Sequence, residues 1–416
     1  MGEKINVMII IREMFPYAGA FGNGQRMHYL ANYLCDRGCS VTMLSEKRGK
    51  KNRSLQNIEK KYDMMWVPRS ENPESDILNT DTMKKISKYI FNEIYEGYAF
   101  CHYLWSLSAR KAVDEIIIKK AIDVVIISAP CFSTFSLINP IKNKFKKVKV
   151  ILDYRDPWYL FNLQRGMAKL LEKKYIRRSD KVVLACDRLR DDMIKVFPEK
   201  NSKYDVVYNG FCEGIWKDIS LQREPGKKMI VAYIGNIGIN DSSNNLRNPN
   251  RLINVFNRVC QDKNMELRFI GIRERTSKMG KIEKESRYKI KFLPPVTAYE
   301  SLEKMAEGDV LVVINDIGNQ ADKYAYSGKV FDYLRSGRLI WGIGTTESVL
   351  KSFIRKNEVG VFCRNEEKEI EKVLLCLYRK WEKEGCIKRK NGNMFWKFYS
   401  REYQNEHYYQ IIKEII

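Results

Sequence analysis

Short apolar runs alternate with amphipathic helical stretches through the first half of the chain. The runs are residues 5–11, 39–44, 122–128, 147–153, 181–185 and 204–208. Continuous apolar runs of this length are typical of parallel strands that are buried on both faces. A glycine-rich loop and a helix predicted from about Gln25 to Arg37 separate the first two runs. The alternation predicts a doubly wound α/β domain of the Rossmann type.

A second series of the same kind follows a change in texture. Residues 213–228 have no apolar period and are predicted to be a linker. The later strand-like runs are residues 229–233, 265–270, 290–293, 310–314, 339–343 and 360–363. After these runs, residues 396–416 are predicted to form an aromatic helix that no strand follows. We therefore predict an N-terminal domain over 1–212, a C-terminal domain over 229–395, and a helix over 396–416 that packs back on the first domain.

Length and charge agree with two domains and an acidic partner. A chain of 416 residues is too long for one core. Its net charge of +23 predicts contact with a nucleic acid, an anionic membrane or a phosphorylated substrate. No nucleic-acid recognition motif accompanies the charge, which disfavours the first of these.

Cysteine usage and hydropathy indicate a cytoplasmic protein. Ten cysteines without a CxxC pair, and only three histidines, disfavour a zinc site and are typical of reduced thiols. No apolar run reaches the roughly 18 residues of a spanning helix. We therefore expect contact with a membrane only from its surface.

Three segments are candidates for that contact. They are a basic loop over 45–62, an aromatic helical stretch over 84–107, and a helix over 160–178. The third has a basic stripe and an apolar side, and such a helix can lie on anionic lipid. A solvated face over a core is the alternative. The stripe is Arg165, Lys169, Lys173 and Arg177, and the apolar side is Leu163, Met167, Leu170 and Leu171.

Polar groups gather where the strand over 147–153 ends, in the sequence DYRDPW. Two carboxylates, a guanidinium and an indole thereby come to one strand end, where α/β domains bind ligands. Because buried charges need partners, either a substrate role or ion pairs with neighbours explains them.

The stretch over 326–339, YSGKVFDYLRSGRL, predicts a helix that starts after a Ser-Gly turn. The free amides of a helix start, together with Lys329, favour an anion such as a diphosphate. Asp332 lies on nearly the same face, where it could accept hydrogen bonds from sugar hydroxyls. Phosphate and ribose together indicate a nucleotide.

The order of these motifs, with FPYAGAFGNGQR, YNGF and YIGNIG, resembles retaining family 4 glycosyltransferases of the GT-B fold. The resemblance runs from about Asn6 to Val373 and is strongest to the branch that serves bacterial surface polysaccharides. It implies two Rossmann-like domains facing across a cleft, with a nucleotide-sugar donor on the second and an acceptor on the first. UDP is favoured over GDP, and the acceptor is a glycan or a lipid-linked oligosaccharide at the inner face of the plasma membrane. No Asp-x-Asp pattern ends a strand, so transfer is expected to be metal-independent.

The resemblance assigns roles to named residues. The catalytic residues are expected to be Lys329, Asp156 and Arg155. The donor is expected to contact Gly235, Asn236, Gly238, Arg247, Ser327, Gly328, Lys329, Val330 and Asp332, with its base near residues 292–295. The acceptor is expected to contact Gly19, Gly22, Gly24, Asp153 and Trp158.

Two departures from the family leave alternatives open. Tyr324 and Asp332 stand where many members have two glutamates, which suggests a non-catalytic relative that binds glycan or nucleotide. A nucleotide-sugar epimerase is disfavoured because only His28, His102 and His407 could serve as its histidine base. The glycines of the first loop do not form GxGxxG, so a nicotinamide cofactor is not indicated.

Overall fold

A computed structural model describes residues 4–18, 21–68, 100–161, 166–222, 225–237, 248–315, 320–387, 389 and 394–416. The chain divides into two compact units. The first comprises Met1–Asn209 with Arg401–Ile416, and the second comprises Gly210–Ser400.

The first unit is built on a seven-stranded parallel sheet in the order β3-β2-β1-β4-β5-β6-β7. Its strands are β1 (Asn6–Ile11), β2 (Ser40–Lys47), β3 (Asp63–Pro68), β4 (Val124–Ala129), β5 (Lys149–Tyr154), β6 (Lys181–Leu184) and β7 (Tyr204–Val206). Its helices are α1 (Phe21–Asp36), α2 (Phe100–Lys119), α3 (Ile138–Lys144), α4 (Gly166–Arg178) and α5 (Asp187–Val196). The central strands β1 and β4 are buried almost throughout, as their continuous apolar sequences require.

The second unit is built on a six-stranded parallel sheet in the order β10-β9-β8-β11-β12-β13. Its strands are β8 (Met229–Ile234), β9 (Met265–Ile270), β10 (Ile290–Leu293), β11 (Val310–Ile314), β12 (Leu339–Gly344) and β13 (Gly360–Arg364). Its helices are α6 (Glu213–Trp216), α7 (Asn250–Val259), α8 (Ser277–Glu285), α9 (Ala298–Glu307), α10 (Lys329–Arg335), α11 (Val349–Asn357) and α12 (Glu367–Glu384).

Strand order reverses once in each sheet. The reversal lies between β1 and β4 in the first unit and between β8 and β11 in the second. Adjacent chain crossovers leave such a point in opposite directions and open a crevice at the carboxyl ends of the strands, where α/β domains bind ligands. We therefore expect a ligand site at the carboxyl ends of β1 and β4 in the first sheet and of β8 and β11 in the second.

The last helix, α13 (Arg401–Ile415), belongs to the first unit and packs on α1. Ile411 and Ile412 are buried there. The side chain of Gln404 accepts a hydrogen bond from the amide of Tyr208 over 2.8 Å. The prediction that the C-terminal helix returns to the N-terminal domain is confirmed.

The segment expected as a linker, 213–228, lies within the second unit. It opens with α6, and the side chain of Trp216 is 1% exposed. The single aromatic anchor of a short helix gives no apolar period, which is why the sequence pattern missed it.

The helices expected near residues 25, 84 and 160 differ in their bounds. Helix α1 begins at Phe21 rather than Gln25. Of the stretch over 84–107, only residues from Phe100 onward lie within the described chain. In the stretch over 160–178, Leu163 and Arg165 lie outside the described residues. None of the helices in the described ranges is long and apolar enough to cross a membrane.

Candidate functional site

Helix α10 carries two charged residues of the predicted donor site, Lys329 and Asp332. It is seven residues long, and Val330, Phe331, Tyr333 and Leu334 bury one of its faces. The hydroxyl of Tyr333 accepts a hydrogen bond from the amide of Ile234 over 2.9 Å, which ties the helix to the carboxyl end of β8. The helix ends where Gly337 takes a φ of +73°, a conformation that favours glycine.

The ammonium of Lys329 lies at the end of β8, beside Gly235. Its Nζ is 3.6 Å from the centroid of the Tyr233 ring. A Cβ on Gly235 would lie 2.7 Å from that nitrogen, and Gly235 has a φ of +130°. Gly271, at the end of β9, packs its backbone against that of Gly235. The structure thus brings together the predicted lysine and the predicted glycine loop, and shows why a side chain at 235 does not fit.

Asp332 is half-buried, and its carboxylate is hydrogen-bonded to Trp216, a residue that the sequence pattern did not single out. Its Oδ1 accepts a hydrogen bond of 3.2 Å from Nε1 of Trp216. Arg335, one turn further along α10, forms a bidentate ion pair with Glu213 at 2.6 and 2.8 Å. Helix α6 is therefore held against α10. Trp216 thus lies next to Asp332, the residue that is predicted to bind the ribose.

The remaining predicted donor residues differ in access. Gly328 and Asn236 are exposed, and Ser327 is buried. Val330 is fully buried, and its amide donates to the carbonyl of Ser327 over 2.9 Å. The contact of Val330 with the donor stays a prediction. Gly238 and Arg247 lie outside the described residues.

Two further positions concern the departures from the family pattern and the base. Tyr324 is buried, with 6% of its surface exposed. In the loop expected near the base, Phe292 is buried and stacks on Phe269, while Pro294 and Pro295 are exposed.

On the first sheet, Asp153 is buried in the core and bonded to its neighbours there. It is completely buried, and its carboxylate accepts hydrogen bonds from Arg26 at 2.8 and 3.2 Å and from Ser128 at 3.1 Å. Arg26 also donates to the carbonyl of Val207 over 2.9 Å. The expectation that Asp153 binds the acceptor is corrected, because its role here is to join α1, β5 and the exit of β7.

Trp158 is corrected in the same way. Its side chain is completely buried between the rings of Phe132 and Tyr175, at centroid distances of 5.4 and 6.1 Å. A buried indole packed on two rings stabilises the fold and offers no surface to an acceptor.

The glycines of the first loop differ in their surroundings, and of the two that the structure describes only Gly24 has a packing role. Gly22 and Gly24 lie inside the first turns of α1. A Cβ on Gly24 would lie 2.8 Å from the sulfur of Met14, so this glycine permits close packing of α1. Gly22 is exposed, and its added Cβ would meet nothing within 4 Å. Gly19 lies outside the described residues.

Arg155 and Asp156 are the predicted residues that remain half-exposed at this edge. Nε of Arg155 donates to the carbonyl of Ala129 over 3.1 Å, at the end of β4. Burial raises the pKa of the Asp156 carboxyl, and the charge of Arg155 opposes this rise. A cation and a carboxyl of raised pKa thus lie beside the point where strand order reverses.

His28 is not placed to act as a base. It is buried, with Nδ1 3.0 Å from the hydroxyl of Tyr62. Burial, together with the charges of Lys60 and Arg401, lowers its pKa to about 4. Among the described residues, no group of three acidic, histidine or cysteine side chains could hold a metal ion.

Residues 22–212 match the model of Glycosyltransferase Family 4. No curated protein sequence matches the chain. Among solved structures, sucrose-phosphate synthase from Thermosynechococcus elongatus superposes with a TM-score of 0.66 at 11% identity, over 99% of both chains. HepE from Anabaena in complex with UDP and glucose gives 0.61 at 11% identity, over 98% of this chain and 99% of its own. The lipopolysaccharide outer core galactosyltransferase WaaB gives 0.60 at 11% identity, over 99% and 100%.

At these identities the structures show the fold alone. The two parallel sheets with their flanking helices are those of GT-B glycosyltransferases, which confirms the predicted fold class. The match of the first unit supports a glycosyltransferase of the family 4 type.

Proposed function

We propose that this protein transfers a sugar from a nucleoside diphosphate sugar, UDP rather than GDP, to a glycan or lipid-linked acceptor with retention of configuration. The observation that carries the proposal is the position of Lys329, whose ammonium lies beside Gly235 at the reversal point of the second sheet. Asp332 follows on the same short helix. A cation next to a bare backbone suits a diphosphate, and a carboxylate near it suits ribose hydroxyls.

Retaining transfer of this kind asks the protein mainly for positioning and for stabilisation of charge. Negative charge develops on the phosphate that leaves with the nucleotide, and Lys329 would stabilise it. Arg155 and Asp156 would serve the acceptor side, where a carboxyl of raised pKa beside a guanidinium can orient a hydroxyl. HepE, with the same fold, holds UDP and glucose, which supports UDP as the nucleotide. The lack of a metal requirement is part of the proposal, and activity undiminished by a chelator is its expected result.

The donor site is tested by calorimetric titration of UDP and of GDP into the wild type and Lys329→Met. Loss of a charge-assisted contact worth about 1.5–3 kcal/mol should weaken binding by about 10- to 150-fold. Lys281→Met is the matched control, because its side chain is 77% exposed on α8 and binding should be unchanged. If the wild type binds neither nucleotide, or Lys329→Met binds as the wild type does, the proposal fails.

Binding without turnover is a separate outcome. Release of UDP from UDP-sugars, measured over a set of glycan acceptors, should accompany binding. Tight nucleotide binding with no release and no transfer would instead favour the non-catalytic alternative, to which Tyr324 at a family glutamate position points.

The outward face of α4 supports the proposal that the acceptor is located at an anionic membrane surface. The one acidic residue of this helix, Glu172, is buried and accepts a hydrogen bond from the amide of Tyr159 over 2.9 Å. The outward face is therefore basic, and it adds Met167 and Leu170, which are 55% and 64% exposed. Its exposed basic residues are Lys169, Lys173, Lys174 and Arg177.

The orientation of α4 agrees with such a role. A helix that follows a parallel strand starts at the carboxyl edge of the sheet. Met167 and Leu170, in the first turns of α4, thus lie toward the edge that carries Arg155 and Asp156. Apolar side chains with a basic surround are the composition that inserts into anionic lipid.

Sedimentation with phosphatidylcholine vesicles, with and without phosphatidylglycerol, tests this surface. Binding should require phosphatidylglycerol, fall with added salt, and be weakened in Lys173→Glu/Lys174→Glu. Each lysine near an anionic surface contributes about 1 kcal/mol, so the double reversal should weaken binding at least about tenfold. Lys281→Glu/Lys284→Glu changes the net charge equally on α8. Equal loss in both double variants would show that α4 has no special part.

A further inference from the structure

Two buried aromatic side chains contact two of the charged groups of α10, Lys329 and Asp332. Tyr233 and Trp216 are each 1% exposed. We propose that both are positioning residues of the donor site, Tyr233 for the cation that receives the diphosphate and Trp216 for the carboxylate that receives the ribose. The inference rests on the proposed function and adds to it the residues that set its geometry. The contacts that carry it are the 3.6 Å approach of Lys329 Nζ to the ring of Tyr233 and the 3.2 Å hydrogen bond from Trp216 to Asp332.

The ring of Tyr233 is a fixed platform for the ammonium. It packs on the ring of Phe269 at 6.1 Å, and its hydroxyl is 3.5 Å from the carbonyl of Asn236. The face of an aromatic ring attracts a cation without cancelling its charge. A lysine side chain is long and flexible, and ordering it when a ligand arrives costs entropy. A ring that orders Lys329 beforehand removes part of that cost.

Trp216 fixes the carboxylate in a directional way. Its helix, α6, is anchored by the ion pair of Glu213 with Arg335, and its indole N–H has one direction in which to donate. The hydrogen bond to one oxygen of Asp332 sets the plane of the carboxylate. Hydrogen bonds to sugar hydroxyls depend on that plane.

The two roles make different predictions for parts of the nucleotide. We compare UDP with UMP and with 2′,3′-dideoxy-UDP, or the guanosine forms if GDP is what binds. Tyr233→Leu should weaken UDP by about 2- to 30-fold, the range of a lost cation–π contact, and change UMP little. Trp216→Phe should weaken UDP by about 2- to 10-fold and leave 2′,3′-dideoxy-UDP unaffected, because that ligand has no hydroxyl for Asp332 to bind.

Conservative and double variants separate positioning from folding. Tyr233→Phe keeps the ring and should bind UDP as the wild type does. Tyr233→Leu added to Lys329→Met should cause no further loss, because the ring acts through the lysine. Circular dichroism and thermal unfolding establish that each variant is folded.

The outcomes distinguish this inference from the proposed function. A wild type that binds neither UDP nor GDP overturns the proposed function itself. If the wild type binds but Tyr233→Leu matches Tyr233→Phe, or both aromatic variants weaken all three ligands equally, only the positioning roles are overturned.

Discussion

The carboxyl edges of the two sheets hold their charged side chains in different ways. On the first sheet, Asp153 is buried in an ion pair with Arg26 at 2.8 Å. On the second, the ammonium of Lys329 lies over the ring of Tyr233. An ion pair joins two opposite charges within the core, whereas the face of an aromatic ring attracts a cation through its quadrupole.

The same contrast holds for a second pair of groups. On the first sheet, Arg12 forms a buried ion pair with Glu46 at 3.0 Å. On the second, Asp332 accepts a hydrogen bond from the neutral indole of Trp216. A strand-end charge therefore indicates a ligand site only when its partner is known, because the same residue types serve the core on one sheet and the proposed donor site on the other.

The largest expected effect comes from breaking the ion pair of the first sheet. Arg26→Met keeps most of the side-chain volume and leaves the carboxylate of Asp153 buried without its cation. The free energy of unfolding, measured in urea, should fall by about 3–5 kcal/mol. Arg37→Met is the control, because Arg37 is 48% exposed in its pair with Glu406 and should cost at most about 1 kcal/mol. Similar small losses in both variants would contradict a structural role for the buried pair.

The next effect concerns the backbone beside Lys329. Gly235→Ala places a Cβ 2.7 Å from the lysine nitrogen and forces a side chain into a φ of +130°. Backbone strain should lower the free energy of unfolding by about 1–3 kcal/mol. The displaced ammonium should weaken UDP binding by about tenfold or more.

Gly280→Ala is the matched control for that change. Gly280 lies in α8, and a Cβ there meets nothing within 4 Å. This substitution should stabilise the fold by about 0.4–1 kcal/mol and leave nucleotide binding unchanged. Unaltered UDP binding in Gly235→Ala would separate Gly235 from the donor site.

The smallest effect is a dependence of stability on pH at Asp156. Burial raises the pKa of this carboxyl, so its contribution to stability is greatest when it is protonated and is lost as the pH rises through the folded-state value. Asp156→Asn should therefore be slightly more stable than the wild type at pH 7, with a difference that closes below about pH 4. Transfer should decrease in the same variant if Asp156 serves the acceptor.

Asp262→Asn provides a control of opposite sign. Hydrogen bonding to Lys263 lowers the pKa of the exposed Asp262 carboxyl. Replacing this carboxyl should leave stability at pH 7 unchanged or slightly reduced, and should leave transfer intact. A gain in both variants would show that the gain at Asp156 does not depend on burial of its carboxyl.

The sequence pattern predicted the fold and the place of Lys329 in the candidate site. Apolar runs gave the chain order of the strands except β3 (Asp63–Pro68), which the pattern missed. The turn before Lys329 placed that residue at a helix start, where the structure has it. The pattern failed at Trp158, whose position after a charged strand end suggested a ligand contact and whose indole is instead in the core. It also failed at Trp216, since a lone aromatic residue in a polar segment has no period to reveal that it is buried.

The sequence alone determined most of the elements, their order along the chain and the residues that stand at strand ends, because hydrophobic period and turn chemistry act over a few residues. Only the tertiary structure decided which charged residues form contacts within the core and which lie at the proposed donor site. Arg26 and Asp153 are 127 residues apart in the chain, and Trp216 and Asp332 are 116 apart. Whether a strand-end charge meets an opposite charge, a ring or an indole depends on which distant segments the sheets bring together, and no local pattern contains that information.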